Sequence, residues 1–112
     1  MDLVIDKVDD VVLVSVGGQM NSGNASAIEA DLISQVERGE RRMVLDLAML
    51  GYISSAGLRV VLLLAKRLKQ EKGKLVLCGL QSRVREVFEI SGFLTILTVV
   101  DTREEALRLA SA

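Results

Sequence analysis

Asp46-Leu47-Ala48-Met49-Leu50-Gly51-Tyr52-Ile53-Ser54-Ser55-Ala56-Gly57-Leu58-Arg59-Val60 is the stretch on which the reading of this chain turns. Upstream, Met43 to Leu47 is a short apolar run after the basic pair Arg41-Arg42, the pattern of a buried central strand. Downstream, Leu58, Val61, Leu62, Ala65 and Leu68 recur at helical spacing, with Val60, Leu63 and Leu64 filling the neighbouring faces. A helix apolar nearly all round in its first half is expected to be largely buried. The connection Ala48 to Ile53 therefore delivers two adjacent serines and a glycine to a helix N-terminus. Backbone N–H groups there lack helical partners and the helix dipole favours negative charge, so the position tolerates a phosphate. Ser54 or Ser55 also suits plain N-capping, worth about 1 kcal/mol. Gly57, just inside the helix, costs roughly 1 kcal/mol relative to alanine, which points to a close approach by backbone or by a partner.

Working outward, Leu3 to Val8 and Val11 to Val16 are β-branched runs separated by Asp9-Asp10, the spacing of a two-residue hairpin without the usual glycine. Gly17 to Asn24 reads as a loop rich in Gly and Asn. It leads to a helix with Ala25, Ile28, Leu32 and Val36 on one face. Asn24 or Ser26 is its N-cap, Ser26 and Glu29 have capping-box spacing, and Gly39 ends it. The central helix closes with Lys66, Arg67, Lys69 and Lys72 ahead of a C-cap glycine, Gly73. Lys74 to Cys78 is a further strand. A helix from Ser82 turns Val84, Val87, Phe88 and in one reading Ile90 inward, and Leu94 to Val100 is a weaker strand. Thr102 and Glu105 have capping-box spacing for a last helix. The order ββαβαβαβα predicts an α/β fold, with a mixed sheet of four to five strands, about four helices and an antiparallel hairpin at one edge.

Composition limits the chemistry. The chain has 112 residues, the size of one domain spanning 1-112, and no internal repeat or linker. Its longest apolar run, Val60 to Ala65, is far below the roughly 20 residues of a membrane span. The start, Met1 to Asp6, reads as a first strand rather than a signal peptide, which places the chain in the cytosol away from the membrane. A formal net charge of −1 with both signs mixed argues against nucleic acid. Histidine is absent and Cys78 is the single cysteine, in an apolar run suited to a buried thiol. The commonest general base and the usual zinc sets are thereby removed. Ser55 matches no G-x-S-x-G elbow, and Gly17-Gly18 with Gly23 matches neither phosphate-binding glycine motif. A non-enzymatic switch protein with no catalytic residue, cofactor or metal is the expectation.

The run from Asp46-Leu47 through Tyr52-Ile53-Ser54-Ser55-Ala56-Gly57-Leu58-Arg59 resembles the signature of STAS domains, specifically the bacterial anti-sigma factor antagonists. Gly17-Gly18 and its loop, the helix from Ala25, Leu75 to Cys78, Val84 to Phe88 and Ile90-Ser91-Gly92-Phe93 follow in the order of that family. The resemblance implies a STAS fold and partner switching in transcription regulation. It further implies that the unphosphorylated protein binds an anti-sigma factor that is also a serine kinase, that phosphorylation releases it, and that a PP2C-type phosphatase restores binding. By position relative to Gly57-Leu58, the residue matching the family's phosphorylated serine is Ser55, with Ser54 as the alternative; Ser54 stands where relatives often carry aspartate. Met20-Asn21 departs from a common Leu-Asp. The expected docking surface comprises Asn21, Ser22, Ser54, Ser55, Ala56, Gly57, Leu58 and Arg59. Leu58 fits the core equally well, Asn21 also suits a left-handed turn, and Arg59 also suits a solvated surface. A scaffold of the same fold in a stressosome-like assembly is the alternative role, and an exposed edge strand leaves room for a weak homodimer.

Overall fold

The computed structural model describes residues 2–112; Met1, first in the stretch read as a strand, lies outside the described residues. Strand β1 (Asp2–Val8) pairs antiparallel with β2 (Val11–Met20). Asp9 takes the left-handed position in the turn between them (φ +55°), which aspartate tolerates better than most side chains. Helix α1 (Ala25–Glu37), β3 (Arg42–Asp46), β4 (Leu50–Ile53), α2 (Ser55–Gln70), β5 (Lys74–Cys78), α3 (Ser82–Ile90), β6 (Thr98–Val100) and α4 (Arg103–Ser111) follow. Strands β2, β3, β5 and β6 run parallel in that order, with β1 antiparallel at one edge. Each parallel step is carried by a helix, α1, α2 or α3.

Four continuous buried valines and leucines in β2, Val11 to Val14, show why the core has two sides. Val12 and Val14, with Met43, Leu45 and Leu77, face a layer built from Ile28, Leu32 and Val36 of α1, Val61, Leu64 and Leu68 of α2, and Val84 and Phe88 of α3. Val11 and Leu13, with Val44, Val76 and Cys78, face α4 through Ala106 and Ala110. Small residues on α4 let that helix lie close to the sheet. No helix among the described residues is long and apolar enough to cross a membrane.

Several expectations are corrected. The segment Gly17 to Met20, read as loop, continues β2 through a register shift between Gly18 and Gln19, and Gly18 sits at φ +80°. The connection Ala48 to Ile53 contains an unanticipated strand: β4 pairs parallel with that prolonged end of β2, so the sheet has six strands where four or five were expected. β3 ends at Asp46 rather than Leu47. Asn24 is the N-cap of α1, which puts Ser26 inside the helix and excludes its capping box. Leu63 is exposed, so α2 is buried on one broad side rather than all round, and Ile90 is exposed rather than inward. Lys72, not Gly73, takes the left-handed residue after α2 (φ +62°). Gly73 is needed because a Cβ there would run into the carbonyl of Arg41. The weak strand Leu94 to Val100 divides into a 3-10 turn, Phe93–Thr95, and the three residues of β6.

Candidate functional site

The end of β2 and the start of α2 are fastened to each other. Met20 pairs with Ile53, and one residue further on the N–H of Ser54 donates to the Met20 carbonyl at 2.8 Å. The loop after β2 and the serine pair after β4 therefore leave the sheet side by side. Gly57 makes the approach feasible: a Cβ there would lie 2.7 Å from Met20 Cβ and 3.0 Å from Ile53 Cγ1. The close approach signalled by this glycine is thus made by the chain's own strand, and Gly57 is buried rather than part of an outer surface. Leu58 is also corrected: at 6% exposure it belongs to the core beneath the corner.

The two serines do different work. Ser54 is the N-cap of α2; its backbone is extended and its Oγ accepts from the Gly57 N–H at 3.2 Å. That oxygen satisfies one of the free donors of the first turn, a task an aspartate at the same position can also perform. Ser55 is the first helical residue, exposed, and its hydroxyl has no hydrogen-bond partner among the described residues. Ala56 is half-buried and packs onto the core, while Arg59, one turn along, is exposed. Ser22 is exposed in the neighbouring loop. Asn21 organises that loop: its Oδ1 accepts from the N–H groups of Gly23 (2.9 Å) and Asn24 (3.2 Å), and its Nδ2 donates to Gln19 Oε1 (3.3 Å). Asn24 closes the turn from the other side, accepting from the Asn21 N–H at 2.9 Å and donating to the Gln19 carbonyl at 2.8 Å. An aspartate in place of Asn21 keeps the acceptor, so the departure from Leu-Asp changes charge more than shape.

A second polar cluster, not anticipated from sequence, lies on the α4 side of the sheet. Asp46, 8% exposed at the end of β3, accepts from Arg103 Nε at 2.8 Å and from the Ala48 N–H at 3.0 Å, and Arg103 also donates to Ser15 Oγ at 3.3 Å. A carboxylate at a strand end was the available signal; its partner lies 57 residues away. Cys78 is buried beside this cluster, and burial together with the Asp46 charge pushes its thiol up to about 11. Among the described residues, no group of three or more His, Cys, Asp or Glu is arranged to hold a metal ion.

Against known families, the STAS domain model matches residues 2–106. The chain belongs to the STAS domain family. As a STAS domain it is similar to BtrV of Bordetella bronchiseptica, a candidate anti-sigma factor antagonist, with 58% identity over 106 residues, covering 95% of this chain and 91% of BtrV. The fold is similar to that of a candidate anti-sigma factor antagonist from Thermotoga maritima, with a TM-score of 0.93 at 22% identity over 98% of this chain and 95% of the other. It is also similar to the Bacillus cell fate determinant SpoIIAA in its phosphorylated form, with a TM-score of 0.78 at 22% identity, covering 96% and 97%. The unphosphorylated form of SpoIIAA gives 0.86 at 23% identity, covering 99% and 98%. In this STAS domain, the serine pair and the Asn21 loop occupy one corner, and the Asp46–Arg103 pair lies on the other side of the sheet.

Proposed function

We propose that this STAS domain is an anti-sigma factor antagonist that docks, unphosphorylated, on an anti-sigma factor with serine kinase activity and is released when Ser55 is phosphorylated. The observation that carries the reading is the division of labour at the start of α2: the Ser54 hydroxyl is committed to the cap, whereas the Ser55 hydroxyl is exposed and unengaged. The name of BtrV, and the phosphorylated state named for SpoIIAA, support it. In the transfer, Ser55 Oγ loses its proton and accepts the γ-phosphoryl group of ATP, and ADP leaves. A PP2C-type phosphatase hydrolyses the ester and restores the docking form. Such a cycle places the chain's work in the cytosol, where sigma factors act.

The mechanism needs no refolding. A phosphoserine brings about −1.5 to −2 charges and a hydrated group into a patch that must otherwise be desolvated against a partner. Obstructing a central interface contact commonly costs 2 kcal/mol or more, and 1.4 kcal/mol is tenfold in affinity. The docking surface on this reading comprises Ser55, Arg59, Ser22 and Asn21, held over Leu58, Gly57 and Ala56. Incubating the wild-type chain, Ser54→Ala and Ser55→Ala with the purified anti-sigma kinase of the same bacterium and ATP, followed by mass spectrometry, tests the assignment. Phosphate is expected on the first two and absent from Ser55→Ala; phosphate retained by Ser55→Ala overturns it. Binding by calorimetry is expected to survive in Ser55→Ala and fall at least tenfold in Ser55→Glu.

A further inference from the structure

One flank of the β4 strand that leads to Ser54 opens into a cleft of about 420 Å³, lined by Gly18, Gln19, Gly51, Tyr52, Ile53, Arg83 and Val87. No carboxylate lines it. Arg83 makes no ion pair among the described residues, although Arg85 on the same helix is held by Glu89 at 3.3 Å, Arg67 by Glu71 at 3.4 Å and Arg103 by Asp46 at 2.7 Å. Arg59, on the outer face of α2 close to Ser55, is likewise without an acidic partner among the described residues. Two uncompensated guanidinium groups thus belong to the elements that frame the serine pair. Tyr52, half exposed, offers an aromatic face in the same cleft. Tyrosine and arginine together at a partly enclosed surface are the side chains most often found to dominate binding between proteins.

We infer that this cleft is an arm of the docking surface and seats a carboxylate-bearing segment of the anti-sigma partner, the carboxylate pairing with Arg83 and the apolar flank of the segment packing on Tyr52. The inference rests on the docking reading of Ser55 given above. Two features favour that occupant: the positive charge without internal compensation, and continuity with the corner, since Ile53 lines the cleft and Ser54 follows it. A regulatory consequence follows. A partner that brings carboxylates toward this end of the domain meets the phosphate on Ser55 as a like charge, so electrostatic repulsion adds to obstruction and makes release steeper at low salt.

Calorimetric titration of the purified anti-sigma kinase with the full chain tests this, using Arg83→Glu, Arg83→Ala, Tyr52→Ala, Ser55→Glu and, as a control of equal charge change, Arg38→Glu at the far end of α1. Melting temperatures check that each variant folds, and Arg83→Ala serves if Arg83→Glu does not. The expected result is at least tenfold weaker binding for Arg83→Glu, severalfold for Arg83→Ala and Tyr52→Ala, and less than twofold change for Arg38→Glu. Affinity of the wild-type chain is expected to fall with added salt more steeply than that of Arg83→Ala. Arg83→Glu binding within twofold of wild type, while Ser55→Glu has lost binding, overturns the cleft and leaves the Ser55 reading standing. Undiminished binding by Ser55→Glu overturns the Ser55 reading and this inference with it. A wild-type chain that dimerises through the cleft in sedimentation, with Arg83→Glu monomeric, assigns the cleft to a second copy and likewise overturns the inference.

Discussion

Replacing Gly57 with alanine adds one methyl group where α2 crosses the end of β2, and two opposing effects set the outcome. Alanine is the better helix former by about 1 kcal/mol. The new carbon would, however, sit 2.7 Å from Met20 Cβ, 3.0 Å from Ile53 Cγ1 and 3.1 Å from the Met20 carbonyl oxygen. Two of those atoms belong to, or are bonded directly to, the backbone of β2, so they cannot swing aside as a side-chain tip can. The same carbonyl accepts from the Ser54 N–H at 2.8 Å, and pushing the helix away stretches that bond. Overpacking of this kind typically costs about 1–3 kcal/mol, and the lost bond adds to it, so the net expectation is a destabilisation of about 1–2 kcal/mol after the helix gain. With a urea slope of about 1–3 kcal/mol per molar, the unfolding midpoint followed by circular dichroism falls by roughly 0.3–2 M. On the function proposed above, phosphorylation of Ser55 should slow as well, because the first turn of α2 is displaced. A midpoint equal to or above that of the wild-type chain would refute the argument that the strand end and helix start are rigidly joined.

Other substitutions separate the remaining contributions. Ser54→Ala removes the cap on the Gly57 N–H and should lower stability by about 1 kcal/mol in the same urea assay, whereas Ser55→Ala should change it by less than about 0.5 kcal/mol. Arg103→Ala leaves the Asp46 carboxylate with the Ala48 N–H alone, and should cost about 1–3 kcal/mol by thermal unfolding; in a double-mutant cycle with Asp46→Asn the losses should fall short of additive. Cys78 should resist iodoacetamide at pH 8 in the folded chain and react readily in denaturant. Because its thiol is raised from 9.0 to about 11 on folding, the stability linked to that proton is fully present below pH 9.0 and is lost as pH rises through about 11. A Cys78→Ala chain should show a smaller decline over that window in urea titrations at stepped pH.

Much of the secondary structure was legible because its signals are local. The apolar spacing of Ala25, Ile28, Leu32 and Val36 marks the buried face of α1 residue for residue, Lys74 to Cys78 marks β5 at both ends, and the Thr102 hydroxyl accepts from the Glu105 N–H at 3.2 Å as its spacing predicts. Strand β4 was not legible. Leu-Gly-Tyr-Ile has no alternation to distinguish it, and it is a strand only because β2 runs on beyond β3 and presents Gly18 to Met20 for pairing.

Residue types and spacing alone thus determined the alternation of strands and helices apart from β4, the helix start at the serine pair and the family to which the chain is similar, because caps, glycines and periodic apolar runs act over a few residues. Tertiary structure alone decided which serine keeps a free hydroxyl, that Gly57 and Leu58 lie buried beneath the corner, that Asp46 is matched by Arg103, and that Arg83 joins Tyr52 in a cleft. Each of those depends on segments brought together by strand register and helix packing, and sequence distance carries no record of which faces will meet.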